Sequence, residues 1–191
     1  MPVKVTGPRD GKKKLPDNSV LVFTVSRASD WSKGLSPFFC GPVELYGRFI
    51  AKNVENAWQF SKVYKEHTDS NGDPTGEYFK WAEAGWNDTK AHRYPMGKGA
   101  KPEYAWWNGE KLGYIEARKR IYVPLYASSV RKTVAYKKLR ELYQTGDLIY
   151  LWDFDGYDNE AQGLSLKEVI NDPSKPMGHA FILKKMLESG V

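Results

Sequence analysis

An acid, an amide, an amine and an indole lie close together in "IAKNVENAWQFSKVYKEH", residues 50–67. Glu55, Gln59 and Lys62 follow the i, i+4, i+7 spacing that puts three side chains on one helix face, and Trp58 adjoins them. A held carboxylate can orient water or stabilise a positive transition state, and an indole offers its face to a flat ring. At a helix N-terminus the dipole favours the anion, so Glu55 is expected to be charged at neutral pH unless burial outweighs that effect. The plainer reading is an exposed Glu–Lys helical pair worth about a few tenths of a kcal/mol.

A second acidic group, "LWDFDGYD", places Asp153, Asp155 and Asp158 around a glycine turn. Paired acids suit divalent-cation binding or acid–base work, although the loop lacks the terminal Glu of an EF-hand and capping Asp residues would read the same way. The basic and aromatic run "EARKRIYVPLYASSVRK" is either a phosphate-contacting surface or an ordinary solvated helix face. His67, His92 and His179 are scattered, and the one cysteine, Cys40, allows neither an internal disulfide nor a zinc spacing. No metal and no cofactor is expected, and a reducing cytoplasm is the natural setting.

These residues need a scaffold. The chain has 191 residues, suited to one domain, and 41% of them are hydrophobic, enough for a core. It has no apolar run long enough to span a bilayer, so no membrane partner is expected. The basic stretch 1–18 reads as a flexible lead-in, with Lys12, Lys13 and Lys14 supplying about half of the net charge of +6. That charge weakly favours an anionic partner. Some of the seven Trp and twelve Tyr must line the core, and so many indoles also suit a site that stacks a flat base.

Within residues 19–191, "VLVFTVS" (20–26) reads as a buried strand and "VELYGRFIA" (43–51) as a hairpin turning at Tyr46–Gly47. Asn53 should cap a helix running towards His67, stopped by "DSNGDPTG". Residues 77–86 suit a second helix, and 87–113 an irregular loop. A break is expected near Val123, followed by a long helix from Pro124 to Tyr143 closed by Gly146. "LIYLWDFDG" is a short apolar segment running into acids, and "MGHAFILKKMLES" a closing helix that buries Ala180, Phe181, Leu183 and Leu187. The class expected is α+β, predominantly α-helical, as a single domain with a small β-hairpin and strand element.

In this order the segments resemble the NADAR, or YbiA-like, family. "NVENAWQFSK" is similar to that family's S-x-E-H-x-[FYW]-Q-A-x-K helix, with Asn56 in place of the usual His. "GLSPFFCGPVELYGRFIAKN" resembles its F-L-S-N-F segment, with Pro37 where Asn is common. "RKRIYVPLYASSVRKTVAYKKL" is similar to its R-x-x-W helix pair, with Tyr122 near the Trp position. "LWDFDGYD" followed by "MGHAFILKKML" resembles the family's W-G-x-G and N-x-L-G-x-x-L-M ending. About two thirds of the chain is covered, and residues 1–18 and 69–113 are not.

The resemblance implies hydrolysis of an N-glycosidic bond. The substrates it implies are ADP-ribose on guanine in nucleic acid, or a ribosylated pyrimidine. Glu55, Lys62 and Asp155 are then the expected catalytic residues. Ser36, Phe38, Trp58, Gln59, Arg118, Tyr122, Trp152 and Gly178 are the expected ligand contacts, with Trp152 preferred over Trp58 as the stacking platform. The 69–113 insertion is expected to act as a lid or nucleic-acid contact through Arg93, Lys98, Trp106 and Trp107. The alternative is a non-catalytic module that binds ADP-ribose, a modified base or nucleic acid.

Overall fold

The apolar run Leu-Ile-Tyr-Leu-Trp at 148–152 is the middle strand of a three-stranded parallel sheet. The computed structural model describes residues 2–11 and 14–190; Met1, Lys12, Lys13 and Val191, with most of the expected lysine tail, lie outside the described residues. The strands are β1 (Val3–Thr6), β2 (Ser19–Phe23), β3 (Val43–Glu44), β4 (Ile50–Ala51), β5 (Lys62–Val63), β6 (Tyr104–Trp107), β7 (Glu110–Leu112) and β8 (Leu148–Trp152). The helices are α1 (Val54–Gln59), α2 (Gly76–Asn87), α3 (Tyr114–Ala117), α4 (Val123–Val130), α5 (Val134–Gln144), α6 (Leu166–Asn171) and α7 (His179–Ser189). Helix outweighs strand, and one hydrophobic cluster runs from β1 to α7, so the chain is a single mixed α+β domain.

The parallel sheet has the order β1-β8-β2, in a register that aligns Val3, Ile149 and Val20, then Val5, Leu151 and Val22. Helix α7 packs on β1 and β8, burying Val3, Val5, Ile149, Leu151, Ala180, Phe181, Leu183 and Leu187. The lead-in expected over 1–18 is therefore not loose at its start. Two valines alternating with Lys4 and Thr6 are too short a pattern to stand out in a basic segment, yet the sheet buries them. Strand β2 also differs from expectation: it pairs on one side only, and Leu21 and Phe23 remain 39% and 44% exposed. It is a half-buried edge strand.

The 43–51 hairpin forms as read, with Glu44 opposite Ile50, and α2 and α7 match their expected segments. Three elements depart from the reading. Helix α1 stops at Gln59 instead of running to His67. The Ser61 hydroxyl donates to the Trp58 carbonyl, and the Trp106 amide donates to the Ser61 carbonyl. Those bonds draw the chain into β5, which pairs with β6. The expected loop 87–113 correspondingly ends in the β6–β7 hairpin. Finally, α3 and α4 form one helix through a π turn, Arg118–Tyr122. The wider turn absorbs Pro124, which lacks an N–H and crowds the preceding carbonyls. The break falls instead between α4 and α5, where the Thr133 hydroxyl caps α5 by accepting from the Tyr136 amide.

Candidate functional site

Parallel strands leave a crevice beyond their carboxyl ends, where ligands of open α/β sheets bind. Here the segments leaving β2 (Val25–Arg27) and β8 (Asp153–Asp155) line a cavity of about 660 Å³. Helix α1, the π turn, Ser36–Phe38, Arg93–Tyr94 and Pro176–His179 complete the walls. Its volume lies in the range of small-molecule sites.

The α1 wall carries a hydrogen-bonded chain. Asn53 caps the helix by accepting from the Asn56 amide at 2.8 Å, and the Glu55 amide donates to the Pro37 carbonyl. Gln59 Nε2 donates to Glu55 Oε1 at 2.9 Å, and Lys62 Nζ donates to Gln59 Oε1 at 2.7 Å. Lys62 thus reaches the chain from β5 and not from the helix, which ends at Gln59; the i+7 spacing puts it beside Gln59 all the same. The Lys62 ammonium also lies 4.9 Å from the Trp58 ring centroid, and Trp58 leans on Tyr122 at 5.4 Å.

Burial, not the dipole of a six-residue helix, sets the charges here. Desolvation pushes the Glu55 carboxyl above its ordinary range, against the Gln59 hydrogen bond and the positive charges of Lys62, Arg93 and His179. Desolvation also lowers the Lys62 ammonium from 10.5 to about 8, against the pull of Glu55. The two shifts run towards each other, so moving a proton within this wall costs less than it would in water. Tyr122 is held as a neutral phenol by burial.

The β8 wall carries a second buried pair. His179 Nε2 faces the Thr24 carbonyl at 2.7 Å, and Nδ1 faces Asp153 Oδ2 at 3.1 Å. A carbonyl only accepts, so Nε2 is the nitrogen that donates to Thr24, and Nδ1 is the one turned to the carboxylate. Asp153 Oδ2 also accepts from the Ala180 amide at the start of α7. A Cβ on Gly178 would stand 2.2 Å from that same oxygen, so only glycine lets the carboxylate approach. Gly156 serves the turn beneath: its Cβ would lie 2.4 Å from the Thr6 carbonyl oxygen. Asp155 is raised by burial and by neighbouring Asp153, against Arg93, and Arg93 pairs with it at 3.4 Å. No spacing in the sequence pointed to His179; only the parallel sheet brings residues 24, 153 and 179 together.

The model of a family of unknown function, DUF6939, matches residues 4–183. The chain belongs to that family. A comparison with curated proteins finds no match. The family's span begins within β1 and includes the 69–113 segment, so both belong to the shared domain. Among the described residues no helix is long and apolar enough to cross a membrane, and no three or more His, Cys, Asp or Glu side chains are grouped to hold a metal ion.

Of the residues expected at the site, Glu55, Lys62, Asp155, Ser36, Phe38, Trp58, Gln59, Tyr122, Gly178 and Arg93 all line the cavity. Arg118 lines it too, but its guanidinium is used elsewhere. It donates to the backbone carbonyls of Val169, Ile170, Asp172 and Lys175, clamping the end of α6 and the loop beyond it. Trp152 is not in the lining and packs between Phe23 and Phe154 at 5.5 and 5.0 Å. The cavity's indole is therefore Trp58, against the expectation that Trp152 was the better platform. Trp106 and Trp107 are strand residues laid against Phe79 and Tyr46, not lid contacts. Lys98 is exposed and outside the cavity. Of the three Asp around the glycine turn, Asp158 caps the next turn by accepting from the Ala161 amide.

Proposed function

We propose that the cavity hydrolyses the C1–N bond between a ribose and a nucleobase, and that its substrate is ADP-ribose attached to guanine in nucleic acid. The observation that carries the reading is the hydrogen-bonded chain from buried Glu55 and Gln59 to half-buried Lys62, laid against Trp58. The likeness of the segments to the NADAR family supports it. Breaking a C1–N bond builds positive charge on the sugar, which a buried carboxylate stabilises more strongly than one in water. A Glu55 carboxylate of raised pKa is also a stronger base, suited to taking the proton of the water that attacks C1. The electron pair of the broken bond leaves on the base nitrogen. Lys62, at about 8, can return a proton to it. Trp58 and Tyr122 offer aromatic faces to the departing base, and Asp155 adds a second carboxyl of raised pKa on the β8 side. No resident cofactor is required, and a lone buried thiol, Cys40, fits a reducing compartment such as the cytoplasm.

One observation favours the non-catalytic alternative, in which the cavity binds the same ligand without cutting it. Asn56 stands where the similar family carries His, and its amide is wholly engaged with backbone atoms. Incubation with an oligonucleotide carrying one ADP-ribosylated guanine separates the two. Hydrolysis yields intact ADP-ribose and unmodified guanine by mass spectrometry, whereas a binding module shifts the oligonucleotide's mobility and releases nothing.

A further inference from the structure

Asn56 is fully buried and faces away from the polar chain of α1 towards the segment after α2. Its Nδ2 donates to the carbonyls of Asp88 at 3.0 Å and Lys90 at 2.9 Å. Its Oδ1 accepts from the His92 amide at 2.8 Å. One amide thus satisfies three backbone groups of a segment that has no regular structure of its own. Asp88 tightens the same turn from outside, through His92 Nε2 at 2.7 Å and the Lys90 amide at 2.8 Å.

The next two residues, Arg93 and Tyr94, line the cavity. The Arg93 guanidinium lies 5.4 Å from the Tyr94 ring centroid and 5.7 Å from that of Phe154, and 3.4 Å from the Asp155 carboxylate. It is 41% exposed. At that exposure the pairing with Asp155 is weak enough to be exchanged for a better anion. A planar guanidinium braced by two rings is preorganised for two parallel hydrogen bonds to a phosphate.

We propose that Asn56 is a positioning residue for Arg93: it locks the 88–92 turn onto α1, so that Arg93 is held in the cavity wall and grips the phosphate-bearing part of the substrate. The inference rests on reading the cavity as a site for a phosphorylated glycoside. It also gives the Asn at this position a purpose that a His could not serve. A neutral imidazole has one donor and one acceptor, and the turn requires two donors and one acceptor.

The test has two arms, each read on the full chain. In the first, hydrogen exchange at the His92 amide, which donates to Asn56 Oδ1, is compared in wild type and Asn56→Ala. The lock predicts exchange at least about tenfold faster in the variant, confined to the 88–94 segment. Unchanged exchange there overturns the positioning role. In the second arm, calorimetry measures ADP-ribose and adenosine binding to wild type, Arg93→Ala, Asn56→Ala and the double variant. Loss of one charge-assisted contact should weaken ADP-ribose about tenfold to a hundredfold in Arg93→Ala. Asn56→Ala should weaken it in the same direction, and the double variant should be no worse than Arg93→Ala. Adenosine should bind all four within about twofold. Additive losses, or equal losses for adenosine, overturn the proposal. If Asn56→Ala does not fold, Asn56→His keeps a buried polar group without matching the turn and carries the same readouts. A wild type that binds no ADP-ribose would overturn the ligand role of Arg93 together with the functional reading, while the exchange arm still decides the lock.

Discussion

Lys62→Met tests whether the α1 wall is as dry as its geometry implies. The lysine pKa falls from 10.5 to about 8 on folding because burial disfavours the ammonium more than Glu55 favours it. At roughly 1.4 kcal/mol per pH unit, that drop corresponds to about 3 kcal/mol held against folding wherever Lys62 is protonated in both states. The folded pKa lies below the unfolded one, so between about pH 8 and 10.5 the unfolded chain binds more protons and stability rises with pH. From pH 7 to pH 10 the wild type should therefore gain on the order of 2–3 kcal/mol relative to Lys62→Met, which has nothing to titrate at this position. Urea unfolding of both proteins at each pH, with the tyrosines and other lysines common to both, isolates the difference. Parallel pH profiles would refute the argument: the Lys62 ammonium would then be hydrated in the folded chain as it is in the unfolded one. The same shift fixes the activity profile: if the ammonium is the proton donor, turnover falls above about pH 8. Protonation of Glu55, above the ordinary carboxylate range, sets the acid limb.

Gly178→Ala forces a Cβ to within 2.2 Å of Asp153 Oδ2. It should cost about 1–3 kcal/mol of stability in thermal unfolding, and it should disturb the His179 ring resonances before those of distant histidines. Arg118→Met strips the donors from four backbone carbonyls. A loss of about 3 kcal/mol or more is expected, with the fastest new proteolytic cleavage between residues 169 and 175. Trp58→Ala should weaken ligand binding by about 1–3 kcal/mol. Trp152→Ala should instead lower the unfolding midpoint and leave affinity within about twofold; the reverse pattern would restore Trp152 as the platform.

Much of the local structure was legible because it depends on neighbours in sequence. The Asn53 cap and the Tyr46–Gly47 hairpin follow from contacts a few residues apart, and the apolar run of α7 marked a helix that had to be covered. The closeness of Glu55, Gln59 and Lys62 was legible too, though partly by fortune, because the strand β5 and not the helix delivers Lys62. What could not be read depends on distant pairing. Val3 and Val5 mean little until β8 lies beside them, 146 residues on in the register Val3 to Ile149. Trp106 and Trp107 look like a lid until β6 pairs with β5. Arg118 looks like a phosphate ligand until carbonyls at the end of α6 and in the loop after it engage its guanidinium. His179 was passed over for the same reason, since its partners Thr24 and Asp153 come from the ends of two other elements. Of the four residues expected in the lid only Arg93 lines the cavity, just after a turn bonded to Asn56 more than thirty residues earlier in the chain.

If the Glu55 carboxylate takes part in breaking a C1–N bond, its amide variant must bind the substrate and fail to cleave it. Single-turnover reaction of wild type and Glu55→Gln with an oligonucleotide bearing one ADP-ribosylated guanine tests it most directly, with products weighed and binding measured in parallel. Wild type should release intact ADP-ribose and leave guanine. Glu55→Gln should bind the oligonucleotide as well as wild type does but cleave it about 10²–10³-fold more slowly. A wild type that binds and leaves the bond intact, or a Glu55→Gln variant that cleaves at a near-normal rate, would contradict the account.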